Sequence, residues 1–573
     1  MHDAPHSDSY RVLVLGLDGG TFDLLLPWAA DGHLPALARL LAEGAHSPLK
    51  STIPPITPCA WSSFMTGMNP GKHGLFDFVE MLPDGRSFRF TNAASRRGET
   101  LWGRLSRAGR RVGVVNVPMT YPPETVNGYL ISGLDTPHQH SRYTYPAGLR
   151  DELQSQGIDY HIDIQHLGDM RSDRMRTRRL EELCTVESHR TQALRYLAGR
   201  YPADFTMVVY TATDQVQHHF WHFMSPQHDK HDPRGAARFG HAIRDVYVHV
   251  DRLIASLLAG QDEQTVVIVM SDHGFGPTTN VRLRLNQALE QAGLLAFRRE
   301  GRWKRTLRAM AGRGDGLLRS MLSHNVKRLL AGTFPKLRTW FEDLDEARID
   351  WDHTTAYANE AYRSCPAVWL NRRAGPGGEV LSAEQIEGRL QAVENALRAI
   401  KDPQTGRPLV GNVYRTRDLY HGPLVDHAPD LILSWWEDAF LLEQSVPGGP
   451  RDSIVSHSTT PIEGGVEFAG SHRLEGVFMI AGGPARRNFA FSEACITDVA
   501  PTILYLMGLP IPADMDGRPL LAALDPDFVA RHPPRHEEKS AAEPPQTAPT
   551  EAGFTEAEAD LIAQRLRSMG YIE

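Results

Sequence analysis

The chain is poor in the features that settle a protein's class quickly. It has four cysteines in 573 residues, Cys59, Cys184, Cys365 and Cys495, and no two stand in CxxC spacing. That argues against a zinc ribbon and against a disulfide framework. No stretch of about 18 uncharged apolar residues occurs, so no transmembrane segment is expected. A basic leader is missing too: MHDAPHSDSY carries two Asp, and the apolar run 12–17 is broken by Gly16 and ended by Asp18. The expected location is therefore cytoplasmic. Charge of one sign is not in excess. With 61 Lys+Arg against 69 Asp+Glu the net charge is −8, and no specific nucleic-acid partner is expected. Hydrophobic residues at 41% and charged residues at 23% exclude collagen, coiled coil and wholesale disorder. There is no internal repeat.

What is present is strand and helix in alternation. Arg11–Leu17 (RVLVLGL), Val112–Val117 (VGVVNV), Phe205–Tyr210 (FTMVVY) and Thr265–Met270 (TVVIVM) are short, β-branched and continuously apolar. That is the composition of parallel strands buried on both faces. Helical spacing marks 34–41, 99–108 and a long segment 236–258. The expected architecture is α/β, a mostly parallel central sheet with helices on both faces, whose ligands sit beyond the carboxyl ends of the strands.

Two stretches depart from this pattern. Residues 298–338 hold twelve Lys/Arg against two acidic residues, a local charge of +10. They read as a solvated helical insertion, or as a cap that attracts an anionic substrate or a membrane surface. Residues 532–552 are rich in Pro, Ala, Glu and Ser, a linker composition. After it, Thr555 and Glu558 form a capping-box pattern, and Ile562, Leu566 and Met569 share one helical face. The expected division is a core in two parts, 10–297 and 346–531, a basic insertion 298–345, a linker 532–553 and an amphipathic C-terminal helix 554–573.

Metal-ligand residue types gather at the ends of the apolar runs. Asp18 closes LGLDGG. Asp214 and His218 follow FTMVVY four residues apart, which on a helix puts carboxylate and imidazole on one face. Asp272 and His273 follow TVVIVM, where Gly274 and Gly276 are expected to supply a loop. His472 stands in AGSHRLEG, just before another apolar strand. A lone Asp after a strand is usually a helix cap, and His219 and His222 compete with His218 for the same role. Six such residues at strand ends in one sheet argue for a site. Three Asp and three His suit zinc or manganese better than calcium. The nucleophile candidate is Thr57, expected at a helix N-cap with Pro58 at the first helical position, beside free backbone N–H groups that suit a phosphate.

The order LGLDGG, ITPCAWSSFMTG…GKHG, TDQVQH, SDHG and GSH resembles the alkaline phosphatase superfamily. The nearest part is the type I phosphodiesterase/nucleotide pyrophosphatase family, including its bacterial branch of predicted phosphohydrolases and phosphomutases. The similarity runs from about residue 10 to about 525 and includes IDWDHTTAYA, the APDLIL block at Asp430 and ITDVAPTILYLMGLPIPADMDGRPL. The resemblance implies an alkaline-phosphatase-like fold and two divalent metal ions, zinc or manganese. Asp18, Thr57, Asp272 and His273 would hold one ion. Asp214, His218 and His472 would hold the other. Thr57 takes the nucleophile position, ten residues before Gly67 of a Thr-Gly pair. In one place the chain departs from the pattern: Phe78 stands where nucleotide pyrophosphatases carry an Asn.

The implied function is a two-metal phosphohydrolase cleaving phosphodiester or nucleotide pyrophosphate bonds through a phosphothreonine, on a small phosphorylated or nucleotide-like substrate. The alternatives are a phosphomutase of the same superfamily, which typically has Ser at the Thr57 position, and a metal-binding scaffold without turnover. A sulfatase is disfavoured, since Thr57-Pro58-Cys59 is not a formylglycine-forming motif.

Overall fold

A computed structural model describes residues 9–82, 87–164, 170, 172–298, 349–360, 365–374, 378–446, 450, 453–459, 468–537 and 553–569. The continuous apolar runs become the middle of a ten-stranded sheet. Its strands are β1 (Arg11–Leu17), β2 (Gly44–Lys50), β3 (Val112–Val117), β4 (Gly128–Ser132), β5 (Thr144–Tyr145), β6 (Phe205–Tyr210) and β7 (Thr265–Met270). A two-stranded ribbon, β8 (Gly274–Pro277) and β9 (Gly470–Arg473), comes next, and then sheet strands β10 (Glu475–Ala481), β11 (Phe489–Ala490) and β12 (Ala494–Cys495). The order across the sheet is β11-β2-β10-β7-β1-β6-β3-β4-β5, with β12 also paired to β2. Strands β7, β1, β6, β3 and β4 run parallel, whereas β10 is antiparallel to both its neighbours and β5 to β4.

Burial on both faces explains why those runs are apolar without alternation. Leu13, Leu15, Val208 and Val269 face one helical layer, made by Pro35–Glu43, α2 (Asp173–Arg200), α3 (Ala212–Met224) and α4 (Ala242–Leu258). Their neighbours Val12, Val14, Met207 and Ile268 face the other, made by α1 (Thr57–Thr66), Leu101–Arg107 and Val499–Leu506. The expected segment 236–258 is two helices. Pro233–Phe239 ends at Gly240, and α4 starts afresh at Ala242.

A second lobe is built from the chain between β8 and β9. Its sheet is antiparallel, Ala356–Ala358, Ala367–Leu370, Leu431–Leu433 and Val413–Arg415, with helix Ala383–Arg398 alongside. Its core takes in Ile56, Cys59 and Phe76 from the first lobe.

The basic insertion lies outside the described residues except for its stems, where Phe297 pairs with Ile349 and Asp350 N donates to Ala296 O at 2.8 Å. The start of the expected linker, 532–537, is tied to the core: Ile511 N donates to Arg535 O at 2.8 Å and Glu537 N to Ile511 O at 2.9 Å. Residues 538–552 lie outside the described residues. Helix α5 (Glu556–Met569) starts in a box where Glu558 N donates to Thr555 Oγ1 and Thr555 N to the Glu558 carboxylate. It packs Ile562, Ala563 and Leu566 into the core under the first helical layer. The Met569 side chain is outside the described residues. Among the described residues, no helix is long and apolar enough to cross a membrane.

Candidate active site

The seven residues singled out by sequence converge at the carboxyl ends of β1, β6 and β7. Asp18 follows β1 directly, its N–H donating to Tyr210 O at 3.0 Å. Asp214 lies in the first turn of α3 and His218 one turn on, with His218 Nε2 3.4 Å from Asp214 Oδ1. Asp272 and His273 occupy the bend between β7 and β8. Gly274 and Gly276 are in strand β8 and supply no loop; a Cβ on Gly274 would stand 1.9 Å from Glu475 O, so glycine serves close strand approach there. His472 belongs to β9 in the ribbon opposite Phe275, not to the central sheet. Thr57 is the first residue of α1, and the N-cap is Ile56.

The mutual distances are short. His218 Nε2 and His472 Nε2 stand 3.1 Å apart, and His472 Nε2 is 3.4 Å from Asp214 Oδ1. His273 Nε2 is 3.3 Å from Asp272 Oδ2, 3.8 Å from Asp18 Oδ1 and 3.4 Å from Thr57 Oγ1. Asp214, His218 and His472 form one group able to hold a metal ion, and Asp18, Asp214 and His273 form another. Asp214 therefore stands between the two, a placement the sequence did not show. All seven residues are buried. His219 and His222 are in neither group, and burial pushes both down to about 3.

The tautomers follow from the hydrogen bonds. Nδ1 of His218 faces Gly470 O at 2.9 Å, Nδ1 of His472 faces Pro55 O at 2.9 Å and Nδ1 of His273 faces Gly274 O at 3.1 Å. A carbonyl only accepts, so each Nδ1 carries the proton and each neutral ring turns its Nε2 lone pair to the centre. Burial, then the neighbouring His472 ring, holds His273 well below the usual imidazole range; burial also lowers His472.

The carboxylates crowd in the same way. Burial, then Asp272 and Asp214, raises Asp18 well above its ordinary value, and burial with Asp214 raises Asp272 to about 8. Burial pushes Asp214 up, but the His218 and His472 rings together outweigh it and hold its carboxyl well below the usual range. Asp18 Oδ1 and Asp272 Oδ2 are buried with no hydrogen-bond donor among the described residues. Lone pairs and carboxylates facing one another need a cation to offset them, so the donor set fits divalent metal.

Several supports carry no sequence signal of their own. Trp61 Nε1 donates to Asp18 Oδ2 at 3.2 Å, and Gly19 N donates to Asp272 Oδ1 at 3.2 Å. Gly19 has φ +64°, and a Cβ there would meet Phe275 at 2.9 Å and Asp214 Oδ1 at 3.1 Å, so only glycine fits. Phe468 stacks on the His218 ring at 4.0 Å. Phe78 is packed in the main hydrophobic core. A small cleft of about 20 Å³ between the lobes is lined by Pro54, Phe76, Asp77, Met81, Trp369 and His427 among others, with no Lys or Arg on its wall among the described residues.

Fold and site together define an α/β protein with a buried Asp/His centre at its strand ends and a threonine hydroxyl opening the adjacent helix. The chain belongs to the type I phosphodiesterase/nucleotide pyrophosphatase family, whose model matches residues 12–444. That membership supports a hydrolase acting on phosphodiester or pyrophosphate bonds. Similar solved structures include human ectonucleotide pyrophosphatase/phosphodiesterase 5, 12% identical over 90% of this chain and 98% of that one, TM-score 0.46. The murine protein is 13% identical over 90% and 100% of the two chains, TM-score 0.48. Its inactive form in complex with AMP is 13% identical over 90% and 98%, TM-score 0.49. No curated protein sequence matches the chain.

Proposed function

We propose that the protein is a two-metal phosphohydrolase that cleaves phosphodiester or nucleotide-pyrophosphate bonds through a covalent phosphothreonine at Thr57. The observation that carries this reading is the pair His218 Nε2 and His472 Nε2, 3.1 Å apart, with both Nδ1 protons engaged by carbonyls. Asp18, Thr57, Asp272 and His273 would hold one ion and Asp214, His218 and His472 the other, with zinc the first candidate and manganese the second. Ions held there would supply Lewis acidity to the Thr57 hydroxyl and offset charge on the phosphoryl oxygens.

The chain's own residues account for the rest. Thr57 opens the ten-residue α1, and the first-turn N–H groups of a helix favour an anion such as phosphate. Its Oγ1 loses a proton to solvent and attacks phosphorus in line. The O–P bond forms as the bond to the leaving oxygen breaks, and that oxygen departs with the electron pair and takes a proton from water. Water then attacks phosphorus opposite Thr57, on the face the leaving oxygen vacated, losing a proton to solvent as the P–Oγ1 bond breaks, and the Thr57 oxygen takes up a proton to leave as a hydroxyl. Two inversions give net retention at phosphorus. Phe76, Met81 and Trp369 of the interlobe cleft would meet the organic part of a small phosphorylated or nucleotide-like substrate if the lobes part to admit it.

The test is hydrolysis of bis-p-nitrophenyl phosphate by wild type and Thr57→Ala with zinc or manganese added. Turnover by wild type alone is expected, and wild-type rates in the variant would overturn the covalent route.

A further inference from the structure

Trp61 stands on α1 one turn after Thr57, and its side chain is fully buried. Residues four apart share one face of a helix, so the face that carries the threonine hydroxyl also carries the indole. The ring lies against β1 where that strand has no side chain. A Cβ on Gly16 would stand 2.9 Å from the ring edge and 2.8 Å from the Val209 side chain, so glycine makes the recess that admits the indole. Phe64 meets the same ring edge-on at 5.9 Å, with an interplanar angle of 84°.

Confined in this way, Trp61 Nε1 donates to Asp18 Oδ2 at 3.2 Å, the one donor to that carboxylate among the described residues. Asp18 Oδ1 receives none and stands 3.8 Å from His273 Nε2, which is itself 3.4 Å from Thr57 Oγ1. The two oxygens of Asp18 therefore have different tasks. Asp272 is divided in the same manner, with Oδ1 taking the Gly19 N–H at 3.2 Å and Oδ2 taking none. His218 and His472 owe their orientation to other groups, Gly470 O and Pro55 O.

We infer that Trp61 is a positioning residue for the ion beside Thr57: its N–H occupies Asp18 Oδ2, so that Asp18 offers the ion Oδ1 alone. The inference rests on the metal reading above. An indole N–H donates and never accepts, so it holds one oxygen of the carboxylate and leaves the other to a cation. Without it the carboxylate turns about its last bond, and either swings away or brings both oxygens to the ion. Monodentate ligation suits zinc, which takes about four ligands, whereas manganese takes about six and tolerates a second oxygen. The indole thereby biases this site towards zinc. Partners behind metal ligands typically matter by about 10–100-fold in metal affinity.

The experiment titrates the full chain with zinc, and separately with manganese, against a chromophoric chelator and resolves two affinities for each metal. In Trp61→Phe one zinc affinity falls about 10-fold and the other stays within about 2-fold, and manganese loses less than zinc at the affected site. A second variant carries 3-benzothienylalanine at position 61, an isostere with sulfur in place of the N–H. It shows the same one-sided loss and serves if the phenylalanine variant does not fold. Wild-type affinities in either folded variant overturn the inference. So does an equal fall at both sites, or an equal fall for both metals, since either marks loosened packing. An isostere that fails to fold overturns it too, because the N–H then serves the fold. A wild type that binds neither zinc nor manganese sinks the metal reading itself, and this is a different result from a zinc-loaded wild type with indifferent variants.

Discussion

The two lobes use apolar residues in different ways. In the first lobe, six or seven consecutive residues such as TVVIVM are buried on both faces of a parallel strand. In the second, strands of three or four residues such as AYA and LIL pair antiparallel and close over a core of their own. Parallel strands all point their carboxyl ends one way, so residues far apart in sequence meet there. The second lobe supplies a wall to the cleft and, through Tyr420 donating to Ile53 O, steadies the approach to Thr57. Chemistry on one side and substrate contact on the other is the division this comparison suggests.

The strongest test of that division is Thr57→Ala. It should lower turnover by about 10³-fold or more, because the covalent route is lost, while the denaturation midpoint moves little. Comparable loss from a second-lobe substitution would break the comparison. Next, Asp272→Ala should retain one of two ions per chain by elemental analysis of the purified protein, with Asp214, His218 and His472 keeping the other. Full metal content in that variant would remove Asp272 from the ligand set.

A smaller effect is expected across the cleft. Trp369, whose ring lies edge-on to Phe88 at 5.5 Å, should contribute to substrate capture. Trp369→Ala should raise KM about 10-fold for a bulky aryl or nucleotide ester, with kcat for a small ester within about 2-fold. An equal fall in kcat on both substrates would place the second lobe in the chemical step.

The smallest effect concerns the stability of the first lobe. Buried His73 takes Leu75 N on Nδ1 at 3.1 Å and places Nε2 2.8 Å from Ser63 Oγ, a neutral tautomer, and burial pushes it down to about 3. The unfolded chain binds its proton near pH 6.5 while the folded chain does not, so stability is lost as pH falls from about 6.5 towards 3. Between pH 7.5 and 5.5 that is about 1.4 kcal/mol for this group. His73→Gln should flatten the pH slope of the urea midpoint by about that amount between pH 7.5 and 5.5; an unchanged slope would assign it to other histidines.

Sequence reading succeeded where burial is two-sided. RVLVLGL, FTMVVY and TVVIVM announce strands by themselves, and each is followed within four residues by a carboxylate, Asp18, Asp214 or Asp272. It misplaced Thr57 by one position, at the cap and not in the first turn, since Ile56 is no customary cap residue. It ran 236–258 together because apolar spacing continues through Gly240. It put glycines 274 and 276 in a loop, whereas they pair with β9, a strand almost 200 residues on.

The sequence by itself determined the α/β class, the parallel strands and which residue types could meet at their ends, because periodicity and composition are local. Tertiary structure alone decided that Asp214 stands between two groups of ligands, that His472 arrives on a ribbon, and that Arg565 of the last helix donates to Leu134 O. Such contacts depend on strand order and helix docking, and no spacing between residues 214 and 472 records that their side chains meet.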